Sequence, residues 1–322
     1  MRAIADAGGL AVGYWLDTVL GDPRRFHPVA GFGRLAGALE QRTYAPDRLA
    51  GAGHTAIAVG APVLAAAVAN LATRNRPLAR AALVAAATWT VLGGTSLRRE
   101  AMGVASALEA DDLTAARERL PSLCGRDPSV LDSSGLARAA VESVAENTSD
   151  AVVAPLFWGA VAGLPGLLGY RAVNTLDAMI GHRNERYASF GTAAARADDL
   201  ANLVPSRLTA VLTAAVAPMA DGSPGRAAWT WLRDGHKHPS PNAGQCEAAM
   251  AGALGVRLGG PNVYFGRREV RPTLGDGPAP SPSDIGRAVG LSAAVGAGAI
   301  VLATTYALIR PRRRGRPRRS TR

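Results

Sequence analysis

The sequence predicts an all-α, polytopic membrane protein, and three observations carry that expectation. Of the 322 residues, 48% are hydrophobic and only 19% charged, high for a soluble chain. Uncharged runs occur at 55–73, 81–97, 151–170, 208–220 and 288–309; a helix crossing the hydrocarbon layer needs about 17–25 residues. Ala and Gly dominate these runs, which lets helix backbones approach closely. The reading is one membrane-embedded catalytic domain over residues 1–309, followed by a basic tail, 310–322.

The first and last runs are long enough to span. Run 81–97 is short but sufficient, and 208–220 is too short to span alone. Run 151–170 contains Pro155 and Pro165, which suits a kinked or re-entrant helix. The formal charge of +11 owes much to the tail, where 310–322 holds eight arginines. A basic run after an apolar helix reads as a positive-inside anchor on lipid headgroups, and without interleaved aromatics it excludes a nucleic-acid surface. No cleaved signal peptide is expected, because Asp6 interrupts the first apolar stretch. Cys124 and Cys246 are too far apart to form a metal or redox motif.

Residues 1–20 are apolar and lead into GDPRRFHPV at 21–29, a loop at a membrane boundary. There Asp22 and His27 either aim at a common point or act as a cap and an interfacial histidine. RNRPLAR at 74–80 joins two apolar runs as a cytoplasmic helical-hairpin turn. EADDLTAARERL, 109–120, fits an exposed amphipathic helix with Leu113 and Leu120 on one face.

The densest chemistry lies between 126 and 207. In a helix, Arg138, Glu142, Glu146 and Asp150 recur every four residues and cover about a third of the circumference. Arg171, Asn174 and Asp177 follow at spacings of three, as do Arg196, Asp199 and Asn202. Acids and amides next to apolar runs are costly unless they pair, bind metal or line a polar cavity. Arg126 and Asp127 on a loop, and GHRNERY at 181–187, add arginines suited to phosphate. Residues 221–287 read as mostly loops with one helix, in which Asn242–Gly244 turn and Glu247 opens a small-residue helix. Lys237 is the only lysine, so any phosphate grip comes mainly from arginine.

Six segments in order carry a resemblance: GDPRRFHPV, GRDPSVLD, VESVAENTSDAVVAPLFW, AVNTLDAMIGHRNERY, RADDLANLVPSRLT and HPSPNAGQCEAAMAGALGVRLGGP. Over about residues 10–270 the chain closely resembles the CobD/CbiB family of cobalamin biosynthesis, the adenosylcobinamide-phosphate synthases. The resemblance implies an ATP-dependent acid–amine ligase joining the propionate carboxylate of adenosylcobyric acid to aminopropanol phosphate or a related amino alcohol. Family members commonly have Gly and Lys where this chain has Ala151 and Arg171.

That reaction class implies its parts. Mg²⁺ would neutralise ATP phosphates, arginines the developing charge, and a base would take the ammonium proton. The metal set expected is Glu142, Glu146, Asp150, Asp199 and Asn202, with Glu142 and Glu146 also catalytic. Phosphates fall to Arg126, Arg183, Arg186 and Arg207, and the base to Asp22 or His27. Asn174, Asp177, Ser240 and Asn242 are expected at the corrinoid or amino-alcohol site. The cofactors are ATP and Mg²⁺, with the corrinoid as substrate; other pathway membrane enzymes are expected partners. The location expected is the cell membrane, with the active site facing the cytoplasm.

Two alternatives stay open, a membrane Mg-diphosphate prenyltransferase and a non-catalytic signalling or interaction protein on the same scaffold. Counting every run as spanning puts 98–150 and 171–207 on opposite faces. At least one run must therefore be re-entrant or buried, and 151–170 is the first suspect.

Overall fold

The computed structural model describes residues 1–22, 27–182, 184–264 and 267–310, with the backbone alone for 262–264 and 267–269. It is nearly all helix: α1 Arg2–Leu20, α2 Pro28–Thr43, α3 Arg48–Ala72, α4 Pro77–Val91, α5 Gly94–Glu109, α6 Leu113–Arg119, α7 Ser133–Thr148, α8 Ala154–Ile180, α9 Thr192–Val216, α10 Pro224–Asp234, α11 Ala243–Leu254 and α12 Pro282–Ile309. Local chemistry starts these helices. Pro28, Pro77, Pro224 and Pro282 occupy first turns, where no N–H is missed. Asp47, Asp112 and Asp132 accept from first-turn N–H groups, and Ser281 with Asp284 forms a reciprocal capping box.

Among the described residues, five helical stretches are long and apolar enough to cross a membrane: Arg48–Ala72, Pro77–Glu109, Ser133–Ile180, Thr192–Ala220 and Pro282–Ile309. Run 208–220, too short to span alone, is the second half of a 29-residue stretch that is long enough. Its first half escapes an apolar scan since Arg196, Asp198, Asp199 and Arg207 interrupt it. The reading of 221–287 is corrected. It holds two helices, α10 and α11, and an antiparallel hairpin of β1 Leu258–Tyr264 and β2 Arg267–Leu274.

The decisive feature is in α8. Gly163 has φ 67° and ψ −153°, a region essentially reserved for glycine, and there the chain doubles back. A Cβ on Gly166 would lie 2.5 Å from the Trp158 carbonyl oxygen, and one on Gly159 would touch Leu167. Tyr170 Oη donates to the Asp150 carbonyl at 3.2 Å. In a continuous helix, residues 20 apart are separated by about 30 Å. Run 151–170 is therefore a helical hairpin with its tip at Gly163.

Helix α12 runs alongside the entering arm. Ser134 meets Pro280, Thr148 meets Ser292, and Arg310 donates to the Ala160 carbonyl at 3.0 Å. The hairpin tip and Arg310 thus share one end of the bundle, and the start of α7 lies at the other. A bidentate Arg80–Asp6 pair and an Arg310–Asp6 contact of 2.9 Å join α1, α4 and α12 near the tip. Gly9 and Gly13 let α1 press on α4, since a Cβ at either would overlap Val84 or Thr88. At the opposite end Leu120, Leu136, Val141, Met250, Leu258 and Ile285 share a separate core under the β-hairpin.

Candidate functional site

The hairpin brings distant motifs to one cavity of about 90 Å³. Five carboxylates line it, Glu146, Asp150, Asp177, Asp198 and Asp199, together with Asn202, Ser206, Ser240, Asn242 and Cys246. The α7–α8 junction supplies the first two, the returning arm Asp177, α9 the next pair with Asn202 and Ser206, the loop into α11 Ser240 and Asn242, and α11 itself Cys246. Between α7 and α8 a π-turn, Ser149–Val153, widens the helix where Asp150 must face inward.

Amides hold the acids in place. Asn174 Nδ2 lies 3.4 Å from Asp150 Oδ2 and 3.3 Å from Asp198 Oδ1. Asn202 Nδ2 donates to Asp198 at 3.0 Å and its oxygen accepts from Tyr170 Oη. Asn242 donates to the Asp199 carbonyl at 2.8 Å and accepts from Ser206. Glu146 is open to the cavity. Ser240 Oγ accepts from the N–H groups of Asn242 and Ala243, which fixes the loop.

Behind that loop His238 Nδ1 accepts from Ser240 N–H, and the Arg271 guanidinium lies 2.6 Å from Nε2. Burial and then the Arg271 charge push the imidazole down to about 4, so it is neutral at pH 7. Burial, reinforced by Glu142 and Glu146, holds Glu247 well above the usual carboxylate range. The Cys246 thiol is pushed well up by burial and then by Asp150, so it is no nucleophile.

Several residues grouped by sequence are separated here. The ladder splits, because Arg138 donates to the Gly259 and Pro261 carbonyls while Glu142 accepts from Gly259 N–H and pairs with Arg126. Glu142 and Arg126 thus pin the β-hairpin and do not line the cavity. Arg186 pairs with Glu40 at 2.8 Å and stacks on Tyr44. His27 caps α2 by accepting from Val29 N–H, and Asp22 interacts electrostatically with Arg171 and Asp17. Neither lines the cavity. Arg207 sits at its edge, donating to the Leu203 and Pro241 carbonyls beside Ser206. Arg183 and the tail from 311 on lie outside the described residues.

The family model described as CobD/Cbib protein matches residues 10–292. The chain belongs to the CobD/CbiB family. A relative named "Cobalamin biosynthesis protein CobD" from Mycobacterium tuberculosis is 57% identical over 298 residues, covering 92% of this chain and 94% of the relative. Relatives of the same name are 49% identical in Geobacter metallireducens (81% and 84% covered) and 46% in Chromobacterium violaceum (88% and 90%). No solved structure matches.

For this CobD/CbiB chain the donor set is informative. Among the described residues no three His, Cys, Asp or Glu side chains form a group that could hold a metal ion. The cavity nevertheless offers oxygen ligands almost alone, the set a hard cation takes when phosphate supplies the rest. Sequence spacing missed Asp198, Ser206 and Cys246. Asp198 precedes Asn202 by four and Asp199 precedes it by three, and both are helical neighbours.

Proposed function

We propose that the chain is an ATP-dependent amide ligase of cobalamin biosynthesis, joining the propionate carboxylate of adenosylcobyric acid to aminopropanol phosphate or a related amino alcohol. The observation that carries this reading is the convergence of five carboxylates from three chain segments on one cavity. Such a site repels a triphosphate unless a cation intervenes, and attracts an ammonium group. Family membership, and relatives named for cobalamin biosynthesis, support a role in that pathway.

In this mechanism a propionate oxygen attacks the γ-phosphorus of ATP. The O–P bond forms as the β–γ bridge breaks, and ADP leaves. The amine nitrogen then attacks the acyl carbon, the C–N bond forms, and inorganic phosphate departs. Glu146, open to the cavity, takes the ammonium proton. Asp150, Asp198 and Asp199 would hold Mg²⁺, which supplies charge neutralisation at the phosphates. Asn174 and Asn202 orient those acids, Arg171 and Arg207 meet phosphate, and Asp177, Ser240 and Asn242 meet the amine substrate. Because ATP is cytoplasmic, the cavity end of the bundle faces the cytoplasm.

The test is purified protein in nanodiscs with adenosylcobyric acid, aminopropanol phosphate and Mg-ATP, following amide product by mass together with ADP. Equimolar product and ADP, lost in Glu146→Gln while the fold persists, is the expected result. Folded protein that yields neither across several amino alcohols overturns the assignment.

A further inference from the structure

We infer that the outer face of α10 is seated in the headgroup layer of the bilayer, so that a lipid-anchored helix carries the α11 side of the cavity. Helix α10 is short and strongly two-faced. Ala227, Thr230 and Asp234, at spacings of three and four, are buried, whereas Trp229 is 64% and Leu232 68% exposed. The buried face is packed tightly on α11. A Cβ on Gly252 would lie 2.7 Å from Thr230 Cβ, and one on Gly244 would lie 2.4 Å from the Gly235 carbonyl oxygen. Trp231 Nε1 adds a 2.8 Å bond to Gln245.

The depth of α10 follows from its neighbours. Arg287 donates to the Ala220 carbonyl at 2.6 Å, so the end of the Thr192–Ala220 stretch is level with the last charge before the uncharged run 288–309 of α12. Helix α10 starts four residues later and runs antiparallel to α11. Its far end reaches the start of α11, where Asn242 and Ala243 line the cavity. It therefore runs from the edge of the apolar layer to the level of the cavity, beside the first turns of run 288–309, where Thr148 meets Ser292.

The surface beside it faces lipid. Leu200, Val204 and Val211 form an exposed stripe on α9, a helix apolar enough to span, and Met219 is exposed where that stripe ends. A tryptophan and a leucine on the outward face of a helix at this depth are interface anchors. Water would leave both large side chains exposed, and lipid covers them in continuity with α9.

Nitroxide labels at Trp229→Cys and Leu232→Cys, introduced separately in a Cys124→Ser background, test this in nanodiscs of phosphatidylcholine and phosphatidylglycerol. Cys246 is buried and remains. Collisions with oxygen should exceed those with a neutral nickel chelate at both positions, whereas Glu109→Cys, exposed on the polar layer, should favour the chelate. Chelate access at 229 and 232 equal to that at 109 would refute lipid seating. Spin–spin broadening between labels of separate molecules would likewise overturn it, since the face would then meet a second copy. A labelled protein that misfolds is recognised by loss of its thermal transition, and Trp229→Phe with a label at 232 alone then gives the same readout.

Discussion

Asp150 and Asn174 stand 24 residues apart in the chain, yet their side chains meet at 3.4 Å. The contact exists because the apolar run between them enters and leaves by the same side. That geometry removes the conflict in which acids before and after the run would lie on opposite faces of the bilayer.

Gly163 is the residue that makes the reversal possible. Gly163→Ala forces a side chain into its positive-φ conformation at a cost of about 1–3 kcal/mol. A lowered thermal midpoint in detergent, with parallel loss of ligase activity, is expected. An unchanged midpoint would show that the turn carries no strain.

Asp198 should matter as much as Asp150, although it was not singled out from spacing. Asp198→Asn is expected to lower kcat by about 10²-fold or more, if it stabilises charge at the reacting phosphate. Activity within twofold of the parent, measured by ADP release, would remove Asp198 from the site.

Near the hairpin tip Asp6 is paired with Arg80, both nearly inaccessible, and with Arg310. Asp6→Asn leaves Arg80 buried without its counter-charge, a loss of about 3–5 kcal/mol. Asp6→Asn combined with Arg80→Met should be less harmful than Asp6→Asn alone. A double variant as unstable as the sum of its singles would show that the two residues do not couple.

Acid should destabilise the cavity loop through His238. Its folded-state value is about 4 against 6.5 unperturbed, so between these pH values the unfolded chain binds the extra proton. Stability is therefore retained above about 6.5 and lost as pH falls toward 4. His238→Gln should flatten that part of the melting-temperature profile, and an unaltered slope would assign the pH dependence elsewhere.

Much of this site was legible because carboxylates next to apolar helices stand out. Glu146, Asp150, Asp177 and Asp199 were all picked from spacing and line the cavity. What periodicity could not supply was the β-hairpin, built from a Gly- and Pro-rich stretch. Its Gly259 N–H and carbonyl draw Glu142 and Arg138 out of the ladder. The partner of Arg186 was equally hidden, since Glu40 lies 146 residues away. Prolines marked the hairpin segment, but the reversal itself falls on Gly163, where only φ and ψ reveal it.

The same architecture sets a constraint on topology. Arg310 lies at the hairpin-tip end and the start of α7 at the other, so Arg310 and the polar layer over the cavity belong to opposite ends of the bundle. With a cytoplasmic cavity, a C-terminal reporter should be active only outside the cell, against the positive-inside reading of the tail. A reporter active inside would put the cavity on the outer face and deprive it of ATP.

The most direct test follows an oxygen atom. Adenosylcobyric acid carrying ¹⁸O in its propionate carboxylate is incubated with the protein in nanodiscs, Mg-ATP and aminopropanol phosphate. Carboxylate phosphorylation predicts one ¹⁸O in each inorganic phosphate released, in step with amide formation. Amide product accompanied by unlabelled phosphate would contradict it.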